Sequence, residues 1–181
     1  MKTIFSKYST NRRAEKATMT YFTEQDGKTL VRKLPATPAA KEHLEQLAKN
    51  YTALQQAVVP QVSVASCWWE GEALVFEKAE GITWLEKLLT VYESGGFEAA
   101  LAEFKTFRDF LYSCMKTYEP YRFTPEGRET FGVIDLEGKK CMCPANVDLL
   151  PANVILDKKG GITIIDYEWV YPFPVPVEYI L

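Results

Sequence analysis

Asn146-Val147-Asp148-Leu149-Leu150-Pro151-Ala152-Asn153-Val154-Ile155-Leu156 leads through Asp157-Lys158-Lys159-Gly160-Gly161 into Ile162-Thr163-Ile164-Ile165-Asp166-Tyr167-Glu168-Trp169. The stretch reads as a polar loop, a short strand, a Gly-Gly turn and a second strand that ends on an acid. Asp148 and Asn153 stand at the two ends of the loop, and Asp166 follows the second apolar run. Three oxygen-bearing side chains at the mouth of a hairpin suit a hard divalent cation and a phosphate. Asp and Asn also cap turns routinely, but capping leaves the acid after the second strand without a role.

The rest of the chain bounds what such a site can serve. Its 181 residues, 47% hydrophobic and 13% aromatic, suffice for one good core or for two small lobes. A net charge of −3 argues against a nucleic-acid partner, which calls for a basic face. Cys67, Cys114, Cys141 and Cys143 form no paired framework, so a reduced, cytoplasmic setting is expected. The Cys141-Met142-Cys143 spacing is too tight for a structural zinc site. No apolar run approaches the length of a transmembrane segment, and the N-terminus lacks the apolar stretch of a signal peptide.

Working upstream, Met19–Phe22 and Thr29–Leu34 are β-prone runs around Gln25-Asp26-Gly27-Lys28, an Asp-Gly hairpin turn. A helix is expected from about Ala39 to Ala57, with Leu44, Leu47, Ala48, Tyr51 and Leu54 as its apolar stripe. Gln61–Trp69 and Glu72–Glu77 read as two strands across a Glu-Gly turn, with one of Trp68 and Trp69 packed and the other half exposed. Thr83 is a suitable N-cap for the next helix, and Gly95-Gly96 breaks it. Phe97–Tyr118 repeats a helical stripe through Leu101, Phe104, Phe107, Phe110, Leu111 and Cys114. Glu119–Pro144 is turn-rich and yields no element. The expected class is α+β.

The loop Asp148–Leu156 resembles the catalytic loop of the aminoglycoside-phosphotransferase and choline-kinase branch of the protein-kinase-like superfamily, and Ile165-Asp166-Tyr167-Glu168 resembles its metal-binding motif. The resemblance implies a two-lobed kinase-like fold: a β-rich N-lobe over residues 1–79 and a truncated, mainly helical C-lobe over 80–181. It implies ATP and Mg²⁺ as cofactors. Asp148 would be the catalytic base or acceptor-orienting carboxylate, with Asn153 and Asp166 the metal ligands. Val31-Arg32-Lys33 matches the strand of the phosphate-binding lysine, Lys33, with Arg32 on the opposite face. Glu45 lies at the edge of the helix stripe and is the expected partner of Lys33, with Glu42 the alternative. Leu74–Gly81 resembles the inter-lobe hinge, where the Glu77 carbonyl and the Ala79 N–H would meet adenine.

Two departures stand out. The branch usually has His two positions before the catalytic Asp, where this chain has Asn146, which could brace the loop by hydrogen bonding. The phosphate-covering segment, Phe5-Ser6-Lys7-Tyr8-Ser9-Thr10-Asn11-Arg12-Arg13, contains no glycine. Its hydroxyls and arginines could contact phosphates, or it could be a basic surface turn. The Ile-Asp-Tyr-Glu-Trp run with prolines at 172, 174 and 176 looks like kinase-like domains of bacterial surface-polysaccharide assembly, including those of O-antigen methyltransferase proteins. That likeness implies a sugar or glycan hydroxyl as acceptor. The apolar Tyr179-Ile180-Leu181 end leads us to expect further domains of the same polypeptide. The alternative reading is a catalytically degenerate kinase-like scaffold within a glycan-modifying protein.

Overall fold

A computed structural model describes residues 2–8, 11–133 and 136–181. In chain order it contains β1 (Lys2–Tyr8), β2 (Thr18–Gln25), β3 (Lys28–Pro35), α1 (Lys41–Ala57), β4 (Val62–Val64), β5 (Cys67–Glu70), β6 (Ala73–Glu77) and β7 (Ile82–Thr83). Then follow α2 (Trp84–Leu111), β8 (Glu119–Pro120), α3 (Pro125–Phe131), β9 (Lys140–Met142) and β10 (Ala145–Asn146). The chain closes with β11 (Val154–Leu156), β12 (Ile162–Ile164), β13 (Val170–Tyr171), β14 (Val175–Pro176) and α4 (Val177–Ile180). The class is α+β. The chain divides into two compact units, Met1–Thr52 with Ala65–Ala79, and Ala53–Val64 with Glu80–Leu181.

The first unit is a five-stranded sheet of order β1-β2-β3-β6-β5, antiparallel throughout, with the first part of α1. Asp26 and Gly27 take φ of 52° and 77°, the two left-handed positions of a type I′ turn, so a two-residue loop pairs Gln25 with Lys28. Leu30, Ala73 and Val75 pack on one face with Leu34. Arg32 shares that face and is buried among acceptors, reaching Glu70 at 2.7 Å, Gln25 at 3.0 Å and Thr23 at 3.2 Å. Its guanidinium is satisfied, which is what permits the burial. Leu44, Leu47 and Leu54 of α1 are buried, as the apolar stripe requires. Trp68 and Trp69 are both exposed, contrary to the expectation that one packs; Trp68 is held by its Nε1–H donating to Glu70 at 2.9 Å.

The second unit carries a four-stranded sheet of order β4-β12-β11-β7, in which only the β4–β12 pair is parallel. Residues 61–69, read as one strand, are therefore two: β4 joins this sheet and β5 joins the first unit's, with Ala65-Ser66 between them. Thr83 caps α2 through a capping box, with Glu86 N–H donating to Thr83 Oγ1 at 3.0 Å and Thr83 N–H donating to Glu86 at 2.6 Å. At Gly96, φ 71° and ψ −167° break α2, and its two arms fold back on each other. Trp84 consequently meets both Phe107 and Phe110 at 5.2 Å between ring centroids, which a straight helix would hold more than 30 Å away. Gly81, at φ 134°, lies so close to the Leu156 carbonyl that a Cβ would collide with it. Two small sheets, β14-β9-β8 and β10-β13, complete the unit. No helix is long and apolar enough to cross a membrane among the described residues.

Candidate functional site

The loop from Asn146 to Asn153 is wound by local hydrogen bonds. Asn146 ends β10 and is buried, and its Oδ1 accepts the N–H of Asp148 at 3.1 Å. The same residue's carbonyl accepts Leu149 N–H at 3.2 Å. An Asn side chain reaching the backbone two residues ahead builds a turn that a loop otherwise has to make alone. The bracing by hydrogen bonding anticipated for Asn146 is thus the geometry found. Its Nδ2 is buried with no hydrogen-bond partner among the described residues.

The carbonyl of Asp148 accepts twice, from Leu150 N–H at 2.7 Å and from Asn153 Nδ2–H at 2.8 Å. The second bond fixes the Asn153 amide: its nitrogen end is committed to the loop, so its oxygen end faces away from that contact. Asn153 closes a single 3-10 turn, Pro151–Asn153, and its carbonyl accepts Ile165 N–H at 2.9 Å, extending the β11–β12 pairing of Val154 with Ile164. Asp166, next along, is exposed and sits at φ 51°. A left-handed non-glycine residue costs about 1 kcal/mol or more and persists where its surroundings impose it. Asp148, Asn153 and Asp166 are thereby gathered at one end of the β11–β12 hairpin. Its other end is the Asp157–Gly161 turn, where Asp157 Oδ1 accepts Lys159 N–H at 2.7 Å and Gly161 N–H at 2.8 Å.

The remaining candidates lie in the first unit. Lys33 occupies the central strand β3, 9% exposed, with its Nζ 5.9 Å from the centroid of the Phe76 ring. Its neighbours across the sheet are Thr20 and Leu74, on the face opposite Arg32, as expected from strand alternation. Glu45 is exposed and lines a cavity of about 530 Å³ with Leu44, Ala48 and Trp69. Glu42 is exposed as well. Lys78 N–H donates to Thr29 C=O at 3.1 Å, so the paired residues Leu30 and Glu77 are a non-hydrogen-bonded pair. The Glu77 carbonyl therefore turns from β3 toward the side of β5, whose pairing with β6 ends at Cys67. The Glu77 side chain, by contrast, is tied at the surface to Lys28 at 2.7 Å. Ala79 ends the first unit.

The glycine-free segment divides. Phe5–Tyr8 belongs to β1, paired with β2, and is strand rather than loop. Ser9 and Thr10 lie outside the described residues, and Arg12 and Arg13 are exposed.

No protein-family model and no curated protein matches the sequence. Among solved structures, the chain is similar to small-molecule phosphotransferases. One is the apoenzyme of macrolide 2′-phosphotransferase MphH from Brachybacterium faecium, at 11% identity over 97% of this chain and 69% of that one, with a TM-score of 0.47. Another is the ADP-bound aminoglycoside phosphotransferase APH(2″)-Ib, at 11% identity over 99% of this chain and 70% of that one, TM-score 0.48. A third is an ethanolamine kinase of Plasmodium vivax, at 8% identity over 93% and 57% of the two chains, TM-score 0.37.

The donor set at the hairpin end can be tested against Mg²⁺. Among the described residues no group of three or more His, Cys, Asp or Glu side chains forms a self-contained metal site. Mg²⁺ is commonly held by one or two protein oxygens together with phosphates and water. The Asp166 carboxylate and the oriented Asn153 amide oxygen are hard donors of that kind, so the residues fit the ion in the company of a nucleotide. The four cysteines are unbonded to one another. Burial pushes the thiols of Cys114 and Cys141 up to about 11, so neither is a nucleophile near neutral pH.

Sequence reasoning passed over one group near this loop, the aromatic residues Phe131, Tyr171, Phe173 and Tyr179. Their only sequence signal was the aromatic–proline alternation after Val170.

Proposed function

We propose that this chain is an ATP- and Mg²⁺-dependent phosphotransferase whose acceptor is a sugar or glycan hydroxyl, working in the assembly of cell-surface polysaccharide. The reading rests above all on one observation, the Asn153 amide held on the Asp148 carbonyl at 2.8 Å. That bond joins the residue proposed to handle the acceptor to one proposed to handle the metal, and the Ile165–Asn153 backbone bond sets Asp166 beside them.

In this reading the Asp148 carboxylate orients the acceptor O–H and takes its proton as the oxygen attacks the terminal phosphorus. A bond forms between acceptor oxygen and phosphorus, the bond to the bridging oxygen breaks, and ADP leaves with that oxygen. Asn153 Oδ1 and the Asp166 carboxylate hold Mg²⁺, which when bound neutralises charge on the phosphate oxygens. Lys33 steadies the α- and β-phosphates, and Glu45 orients Lys33. The Glu77 carbonyl and the Ala79 N–H receive adenine, and being backbone groups they leave the side chains at those positions free to vary. We further propose that the protein is cytoplasmic and that this region works alongside further domains of the same polypeptide.

Calorimetric titration with Mg·ATP tests the nucleotide half of the proposal. One site is expected, with affinity weakened by about tenfold or more in Lys33→Ala and Asp166→Ala. No heat from the unmodified chain would contradict it. A second reading, a degenerate kinase-like scaffold, is favoured by Asn146 at the usual histidine position and by the absence of glycine from residues 5–13. Tight Mg·ATP binding with no transfer to any acceptor would support that reading instead.

A further inference from the structure

The phosphoryl-transfer roles leave an aromatic cluster in the second unit unused. Phe131 ends α3, Tyr171 ends β13, Phe173 follows it, and Tyr179 lies on α4. Ring centroids are 4.5 Å apart for Phe131–Tyr179, 5.4 Å for Phe131–Tyr171 and 5.1 Å for Tyr171–Phe173. Phe173 is buried and anchors the group, whereas Tyr179 is 51% exposed and Phe131 and Tyr171 are half-buried. The cluster therefore offers an aromatic surface and is not merely core.

Backbone pairing ties this surface to the catalytic loop. Tyr171 stands opposite Ala145 in the β10–β13 pair, and Val147 N–H donates to Trp169 C=O at 3.0 Å. The strand that carries Tyr171 is thus bonded to the residues immediately before Asp148. The negative charge of Asp148 also reaches the Tyr171 phenol: burial chiefly raises its pKa, with Tyr179 and then Asp148 adding to the effect.

We infer that Tyr171, Phe131 and Tyr179 form the platform on which the acceptor ring stacks, and that this ring is a neutral pyranose. The inference depends on the phosphotransferase reading of Asp148. A pyranose presents a face of C–H groups that packs on aromatic rings, while its hydroxyls exchange hydrogen bonds with phenols. The platform residues carry no charge. The carboxylate adjoining Tyr179, that of Glu178, is already held by Lys139 at 3.0 Å. Aromatic faces also attract cations, and the Asp148 charge lies within reach of Tyr171, so choline is the comparison that separates the two ligand classes.

Saturation-transfer NMR on the whole chain tests the platform. The probes are methyl α-D-glucopyranoside, methyl α-D-mannopyranoside and methyl α-D-galactopyranoside at millimolar concentration, with choline as the cationic comparison. At least one pyranoside should receive saturation through its C–H protons. Tyr179→Ala, at a position 51% exposed, should weaken that binding by about tenfold, while Tyr179→Phe keeps the ring and its packing on Phe131 and retains most of it. Mg·ATP affinity should be unchanged in both variants. Saturation of none of the pyranosides, of choline alone, or equal pyranoside binding in Tyr179→Ala would overturn the inference. A parallel Mg·ATP titration separates the two claims. Pyranoside binding through Tyr179 without nucleotide binding sinks the phosphotransferase reading and keeps the platform; nucleotide binding without pyranoside binding does the reverse.

Discussion

The Oδ1 of Asn146 accepts the backbone N–H of Asp148 at 3.1 Å, from a side chain that is only 1% exposed. A buried amide thereby sets the direction in which the chain leaves β10, and with it the position of the Asp148 side chain. The bond ties the start of the loop to the end of β10.

Asn146→Ala removes that acceptor and leaves the Asp148 N–H to find another partner. An unfolding free energy lower by about 1–3 kcal/mol is expected, the range for a buried polar group deprived of its partner. Urea denaturation of the two proteins at constant m-value measures it. Equal stabilities would show that the side chain does not brace the loop.

The left-handed backbone of Asp166, φ 51°, inverts the usual ranking of substitutions. Alanine normally outranks glycine because glycine loses more backbone freedom on folding. Here Asp166→Gly is expected to be more stable than Asp166→Ala by about 1 kcal/mol, since only alanine keeps a Cβ in the disfavoured region. Paired thermal or urea unfolding checks the order. Both variants should bind Mg·ATP about tenfold or more weakly, so stability and ligand affinity move independently at this position.

At the far end of the hairpin, hydrogen bonds from Gly161 N–H and then Lys159 N–H hold the Asp157 carboxyl below its ordinary value of 3.8. A carboxyl depressed in the folded state contributes stability that is fully present above that ordinary value and is lost as pH falls through the folded one. The unmodified chain should therefore exceed Asp157→Asn in stability at neutral pH, with the gap closing below pH 3.8. Urea midpoints of the two proteins across an acid series give the comparison. A gap that stays constant would mean that Asp157 titrates alike in both states.

Local chemistry made some of the fold legible and topology hid the rest. Asp26-Gly27 announces its turn because few other pairs accept two left-handed positions. Gly95-Gly96 likewise announces the break in α2, and Thr83 the start of that helix. Residues 61–69 mislead because strand periodicity says nothing about which sheet a residue joins, and β4 and β5 find partners far apart in sequence. Between Glu119 and Asn146, strands of two or three residues are too short to show any period. At the candidate site, the residue types at 148, 153 and 166 were readable, but the Asn153–Asp148 bond depends on a 3-10 turn that only the folded loop displays. The aromatic cluster was out of reach for the same reason, since Phe131 meets Tyr171 and Tyr179 only after forty or more residues of chain have closed on themselves.

The central claim is that Asp148 serves an acceptor hydroxyl in phosphoryl transfer from ATP. Its most direct test follows the γ-phosphate of labelled ATP into a panel of pyranosides and surface glycans, using the full-length protein and its Asp148→Ala variant. The account predicts a phosphorylated acceptor with the unmodified protein and a loss of about 10²–10⁴-fold with the variant, while Mg·ATP affinity is retained. Equal transfer by the two proteins would contradict it.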